Sequence, residues 1–379
     1  MKEQTLYDVA IVGGGLAGLS LAIQMGRQGY KVILFEKETY PFHKVCGEYI
    51  SMESWPFLQS LGLPLEEMNL PRISKLLVTA PGGTTFNAAL PLGGFGISRY
   101  TLDAKLRDIA VENNVEIREN CKVSNVVFSN ETFTVISSSG TVQSKVCCGC
   151  YGKKSNLDVK WKRSFTITQS RKLNQFTGIK YHIETDAPTD VITLHNFKNG
   201  YCGMSKIEGN RYCLCYLTHT DNLKKSGQSI EKMEETILSA NPHLKTLLQT
   251  SKKLYATPVS ISQISFLQKT QVENHVLLLG DAAGLITPLC GNGMSIALHA
   301  SKIVSAIITL FLENKTSRAE LEITYTTQWK KQFGARMRVG RWIQFFFGKD
   351  AVTNLFVKAM KGMPAFSRWI IKQTHGEAF

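Results

Sequence analysis

Tyr7-Asp8-Val9-Ala10-Ile11-Val12-Gly13-Gly14-Gly15-Leu16-Ala17-Gly18 is the stretch whose reading settles the fold. The apolar run into Val12 reads as a buried strand, and Leu16, Leu19, Leu21, Ala22 and Met25 give the next segment a helical face that ends near Gly26–Gly29. Lys31-Val32-Ile33-Leu34-Phe35 then reads as a second strand, closed by Glu36. Gly13-x-Gly15-x-x-Gly18 is weak as a bare pattern, but here it joins a strand to a helix, the context that gives it meaning. Gly13 allows a tight turn, Gly15 lets backbone approach a pyrophosphate, and Gly18 lets helix and strand pack closely. The helix start adds free N–H groups and a partial positive charge for phosphate. Glu36, 18 residues past Gly18, is placed to accept both ribose hydroxyls and to repel a 2′-phosphate.

A second segment lies far down the chain. Val276-Leu277-Leu278-Leu279 reads as another buried strand and runs into Gly280-Asp281-Ala282-Ala283-Gly284. Asp281 falls at a strand C-terminus, where such sheets bind ligands. A helix predicted over residues 292–312 aims its N-terminus the same way, which favours negative charge there by about 0.3–2 kcal/mol. Two remote segments converging on one site predict a single long dinucleotide, FAD.

With these blocks in hand, the chain resembles the flavoprotein monooxygenase superfamily of para-hydroxybenzoate hydroxylase, and within it the geranylgeranyl reductase branch. The resemblance covers most of residues 5–310. It rests on Gly13–Gly18 with Glu36, on Gly280–Gly284 followed by Pro288-Leu289-Cys290-Gly291-Asn292-Gly293-Met294, and on Tyr40-Pro41-Phe42-His43-Lys44-Val45-Cys46-Gly47-Glu48. The resemblance implies that Gly13, Gly15, Ala17, Gly18, Glu36, Lys37, Cys46, Gly47, Arg99, Val123, Asp281, Gly291, Asn292, Gly293 and Met294 hold FAD. Asp281 would meet the ribityl or pyrophosphate region, and Gly291–Met294 the isoalloxazine ring. There are departures. Tyr151 in Gly149-Cys150-Tyr151-Gly152-Lys153-Lys154-Ser155 stands where the family has an acid. Asn199-Gly200-Tyr201-Cys202-Gly203-Met204-Ser205 replaces the reductases' Tyr-x-Trp-x-Phe-Pro stretch, and the halogenases' Trp-x-Trp-x-Ile-Pro is missing.

The predicted architecture is α/β: a Rossmann-like FAD-binding domain (1–75, 97–158 and 270–315) interleaved with an antiparallel-sheet substrate domain (76–96 and 159–269), plus a basic, aromatic helical region (316–379). The 379 residues are 43% hydrophobic and 20% charged, ordinary for a globular chain. No run of about 18 uninterrupted apolar residues predicts a membrane span, and a strand starting near residue 6 leaves no room for a signal peptide. The expected location is cytoplasmic. Nine cysteines in no disulfide or metal-ligand spacing read as buried thiols, and Cys147, Cys148 and Cys150 lack downstream Cys/His partners, so no metal is expected.

The net charge is +14, of which +8 lies in residues 329–379 among bulky apolar side chains including Phe333, Trp342, Phe356 and Trp369. That composition suits peripheral contact with an anionic membrane; packing of the same aromatics on the protein's own core is the competing reading. No nucleic-acid motif accompanies the charge, and none is expected as a partner.

An FAD-dependent oxidoreductase follows, with an apolar small-molecule substrate. The reaction reads as hydroxylation of an aromatic, polyketide-like or lipid-like compound, or as reduction of an isoprenoid or lipid double bond; a flavin-binding electron carrier is the third reading. No second strand–GxGxxG–helix unit exists, so NAD(P)H or a protein donor would dock transiently. Glu48, Cys46 and Tyr201 are the catalytic candidates, with His43, Lys44, Tyr49 and His195 beside them. Burial of Glu48 would raise its pKa and make it a general acid.

Overall fold

The computed structural model describes residues 5–167, 175–287, 291–346, 350–363, 367 and 376–379. In chain order it contains β1 (Leu6–Val12), α1 (Leu16–Arg27), β2 (Val32–Phe35), β3 (Tyr49–Ser51), α2 (Trp55–Ser60), β4 (Arg72–Thr79), β5 (Thr85–Gly96), α3 (Arg99–Glu112), β6 (Glu116–Arg118), β7 (Val123–Ser129), β8 (Thr132–Ser137), β9 (Gly140–Gly149), α4 (Asn156–Lys160) and α5 (Ser164–Ile167). There follow β10 (Phe176–Glu184), β11 (Val191–Phe197), β12 (Gly200–Lys206), β13 (Tyr212–His219), α6 (Thr220–Lys225), α7 (Ile230–Thr236), α8 (Pro242–Thr250), β14 (Lys252–Lys253), β15 (Val259–Ile264), β16 (Val272–Glu273), β17 (Val276–Leu278), α9 (Gly293–Leu312), α10 (Arg318–Phe346) and α11 (Asp350–Gly362). Cys290, with Pro288 and Leu289, lies outside the described residues.

Among the described residues the strands form two sheets. The first runs β16-β17-β9-β1-β2-β6, with β7 and β8 attached through β9. Its centre is parallel: Val9 opposes Val32 on β2 and Val146 on β9, and Leu277 opposes Cys148. Parallel strands covered on both faces are apolar throughout rather than alternating, which is why Val32–Phe35 and Val276–Leu278 are buried at every position. Gly13, at φ +108, turns the chain from β1 into α1, and β17 returns a segment 264 residues downstream to that turn's sheet, between β16 and β9.

The second sheet runs β14-β10-β13-β12-β11-β4-β5-β3, with β15 on β10. It is antiparallel except where β4 and β11 pair in parallel. The Pro81-Gly82-Gly83 turn joins β4 to β5 as its chemistry predicts, Gly83 sitting at φ +85. β3 and the start of β4 hydrogen-bond in this sheet, although the predicted boundaries group residues 1–75 with the nucleotide-binding part.

Of the C-terminal helices, α10 packs on α9 beside the first sheet, and α11 lies against β5 of the second. Leu321, Tyr325, Trp329, Phe333 and Met337 recur every four residues along α10 and all enter the main core. The Tyr325 hydroxyl donates to the Leu278 carbonyl at 2.6 Å, and Phe379 stacks on His299 of α9 with ring centroids 4.1 Å apart. These aromatics belong to the core. α9 is long and apolar enough to cross a membrane by length and composition, but half of its apolar window is buried inside the protein.

Candidate functional site

A cavity of about 900 Å³ lies between the two sheets. Gly13, Gly15, Ala17, Glu36, Lys37, Cys46, Gly47, Arg99, Val123, Asp281, Gly291, Gly293 and Met294 all line it. The two remote motifs therefore meet at one chamber. Gly18 and Asn292 do not line it: Gly18 packs against Ile11 and the Gly13 carbonyl, and Asn292 is fully buried at the start of α9.

The residues at one end fit a dinucleotide. Gly15 is extended (φ −88, ψ −173), and a Cβ there would meet only Arg99 Nη2 at 3.6 Å and Lys44 Nζ at 3.9 Å. The space over the helix start is thus open and faces two cations. Arg99 is held by two 2.7 Å bonds to Asp103, and Lys44 reaches Asp103 at 3.0 Å and Glu36 at 3.7 Å. Arg99 holds the Asp103 carboxyl below the usual range, with Lys44 adding to it, against burial that raises it. Glu36 accepts from the Gly14 amide at 2.9 Å. At the other end, Gly291 is left-handed (φ +66), with the Tyr49 ring 3.2 Å from where a Cβ would stand. Among the described residues the Asn292 amide, buried behind the cavity wall, has neither its Nδ2 nor its Oδ1 partnered.

Side chains that sequence reasoning missed back the Asp281 turn. Lys269 Nζ donates to the Asp281 carbonyl at 2.8 Å, Arg163 to Ala282 at 3.0 Å, and Gln271 to Ala283 at 3.1 Å. Burial pushes Lys269 down to about 8, against the pull of Asp158 and Asp281. Tyr151, which replaces the family's acid, donates to Asp158 at 2.9 Å. A carboxylate is therefore still present, one phenol further from the cavity.

Glu48 departs from expectation. Burial alone would raise its pKa, but the hydrogen bond from His182 and the charges of Lys180 and His182 outweigh it and hold the carboxyl below its ordinary value. Its partners are Lys180, His182 at 2.6 Å and the Arg99 amide at 2.8 Å. An ionised acceptor with three donors does not serve as the general acid. Glu48, His182 and Cys213 bring possible ligand atoms within 4.8 Å of one another, but the Lys180 ammonium already supplies a cation there. Cys147 and Cys148, as neighbours on β9, point to opposite faces and share no ligand geometry.

Cys46 Sγ lies 3.5 Å from Met294 Sδ. Beyond them the cavity continues over the second sheet, lined by Ile192 and Leu194 on β11, by Tyr201 and Gly203–Ser205 on β12, and by Cys215–Leu217 on β13. Gly203, Ser205 and Gly178 are small, which leaves room. His195 faces the other way. It bonds Thr79 Oγ1 at 2.9 Å and stacks on His243; burial, then the nearby His243, pushes it down to about 4.

A profile described as "FAD binding domain" matches residues 6–337. The chain is 24% identical to Conditioned medium factor receptor 1 of Dictyostelium discoideum over 98% of this chain and 77% of that one. It is 24% identical to Digeranylgeranylglycerophospholipid reductase of Methanococcus vannielii, over 86% of this chain and 83% of the other. Other relatives bear the names of an FAD-dependent monooxygenase and flavin-dependent halogenases. Among solved structures, flavin-dependent brominase Bmp2 superposes with a TM-score of 0.77 at 18% identity, covering 98% of this chain and 93% of that one. The glycine turn, the Asp281 turn and the chamber between them belong together: the chain is an FAD-dependent oxidoreductase of the FAD-binding-domain family, within the para-hydroxybenzoate-hydroxylase-like flavoproteins.

Proposed function

We propose that the enzyme oxygenates an apolar small molecule, aromatic, polyketide-like or lipid-like, held against the second sheet. One observation carries this reading: the chamber lined by the cofactor motifs runs on, without a wall, into an apolar recess bounded by Ile192, Leu194, Tyr201, Leu217 and Ile264. An electron carrier has no use for such a recess, whereas a substrate pocket needs one. Bound FAD would supply two-electron chemistry, with dioxygen as the oxidant. Gly13, Gly15, Glu36, Arg99 and Asp281 would hold it, and the recess would exclude water.

A second reading, reduction of a carbon–carbon double bond, is favoured by the Lys44–Glu48 segment and by the likeness to an enzyme named as a lipid reductase. It needs a proton donor, and Glu48 is held ionised. Cys46, Tyr49 and Tyr201 line the chamber and each has a proton to give.

The test is anaerobic reduction by NADH and by NADPH, followed by rapid mixing with dioxygen. A transient absorbing species before the oxidised spectrum returns supports oxygenation; single-step reoxidation with and without apolar ligands sinks it. The donor, NAD(P)H or a protein, is read from the same reduction rates. We further propose that the outer face of α10 and α11 contacts anionic lipid, bringing the enzyme to an apolar substrate.

A further inference from the structure

The strap Lys44–Glu48 crosses the cavity wall beside Met294, and all five of its carbonyls are taken by donors from outside it. Lys180 Nζ reaches the Lys44 carbonyl at 3.2 Å and Lys153 Nζ the Val45 carbonyl at 3.0 Å. Cys213 Sγ reaches Cys46 at 3.2 Å, Ser205 Oγ reaches Gly47 at 3.3 Å, and the Ile97 amide reaches Glu48 at 3.1 Å. Lys180, Cys213 and Ser205 belong to three strands of the second sheet.

Across a trans peptide, the carbonyl of one residue and the amide of the next point in opposite directions. Fixing these carbonyls therefore turns the amides of Val45, Cys46, Gly47 and Glu48 away from those donors. Among the described residues none of the four amides has a protein acceptor, although all four residues line the cavity.

Glu48 anchors the end of the strap. It sits at φ +55, a conformation that an L residue rarely adopts. Such a conformation persists where surrounding contacts over-determine it, and here three donors converge on the carboxylate. Lys180 does two jobs, gripping both the Glu48 carboxylate and the Lys44 carbonyl. It is fully buried, as is Glu48.

We propose that Lys180 and Glu48 are positioning residues: this buried ion pair holds the strap so that its free amides are presented to the redox end of the cofactor. The inference rests on the flavoenzyme reading above and adds to it. The second sheet sets the electronic surroundings of the ring as well as forming the substrate recess. Ser205, which itself lines that recess, and Cys213, two residues before the lining Cys215 on β13, tie the two functions together.

The experiment compares wild type with Glu48→Gln, Lys180→Met, the double variant, and Ser205→Ala/Cys213→Ala. FAD affinity is read by titration, the long-wavelength flavin absorption by spectroscopy, and the midpoint potential by anaerobic reduction. Each single variant removes one partner of a buried ion pair and is expected to melt earlier. The double variant carries no lone charge and is expected to regain stability, yet to bind FAD about tenfold more weakly. It is also expected to show a shifted absorption band and potential. The Ser205/Cys213 variant, which disturbs no charge, is expected to shift the band in the same direction by less. A double variant with wild-type affinity, spectrum and potential overturns the inference. Wild-type protein that binds no FAD overturns the flavoenzyme reading itself, a separate outcome seen before any variant is made.

Discussion

Gly13 and Gly15 stand two residues apart, and the structure gives them opposite roles. A Cβ on Gly13 would lie 2.5–2.7 Å from the backbone of Cys150 and Tyr151, at a φ of +108. Gly13→Ala is therefore expected to destabilise the fold itself, whether or not FAD is present. Gly15 is extended and its missing Cβ faces open space before two cations. Gly15→Leu should leave the apo-protein's melting temperature nearly unchanged while abolishing retention of the yellow cofactor. Loss of fold would move Gly15 into the first role. Asp281→Ala should likewise lower flavin content in purified protein with little change in melting; full occupancy would show that its carboxylate is not a ligand. His195 gives a pH signature of the second sheet. Its folded pKa of about 4 lies below the ordinary histidine value of 6.5, so between those values the unfolded chain binds a proton that the folded one refuses. Stability contributed by neutral, buried His195 is thus full above about pH 6.5 and declines as pH falls toward 4. The size is on the order of 3 kcal/mol. In denaturant titrations, the stability gap between wild type and His195→Gln should narrow from pH 7 to pH 4.5; a constant gap means that His195 is protonated in the folded state.

The helix α10 shows what periodicity can and cannot say. Its sequence is basic and aromatic, and composition alone leaves membrane contact and core packing both open. The structure assigns Trp329 and Phe333 to the core, against α9 and the Asp281 turn. Phe333 is completely buried, and Phe333→Ala should cost about 3–5 kcal/mol of stability, read by chemical denaturation. A loss under 1 kcal/mol would place α10 loosely on the body rather than within it. Strands β2 and β17, and β1 from Val9 on, were legible because parallel strands covered on both faces are apolar at every position. Strand β10 was not. Its alternation of Gly178, Lys180 and His182 with Ile179, Tyr181 and Ile183 has the pattern of a half-exposed strand. In the fold the polar face is covered by the Lys44–Glu48 strap, so all of these residues but the strand's last are buried. The partners of Lys180 lie more than a hundred residues away, and period-2 patterning carries no information about what covers a face. For the same reason the motifs located the chamber, whereas Lys269, Arg163 and Gln271 behind it left no local signal.

The whole molecule carries a charge of +14, and a field of that sign acts over a Debye length, about 8–10 Å at physiological salt. With the α10 aromatics committed to the core, the membrane proposal rests on α11 and its surroundings. Leu355 is 70% exposed and Met363 58% exposed. Lys358, one turn beyond Leu355, and Lys361 are also exposed, so apolar area and positive charge share a face. Deleting residues 329–379 would remove part of the core and could not test this. Charge reversal at the surface can. Each lysine near an anionic leaflet contributes about 1 kcal/mol, so Lys358→Glu with Lys361→Glu should lower partition onto phosphatidylserine-containing vesicles by at least about tenfold. Leu355→Ser should lower it further, and none of these changes should alter flavin content or melting temperature. Wild-type binding should weaken as salt rises and should vanish on zwitterionic vesicles, because insertion of one leucine and one methionine cannot hold the protein without the charge. Equal partition of wild type and the double reversal on anionic vesicles would end the proposal and leave the recess to be filled from solution.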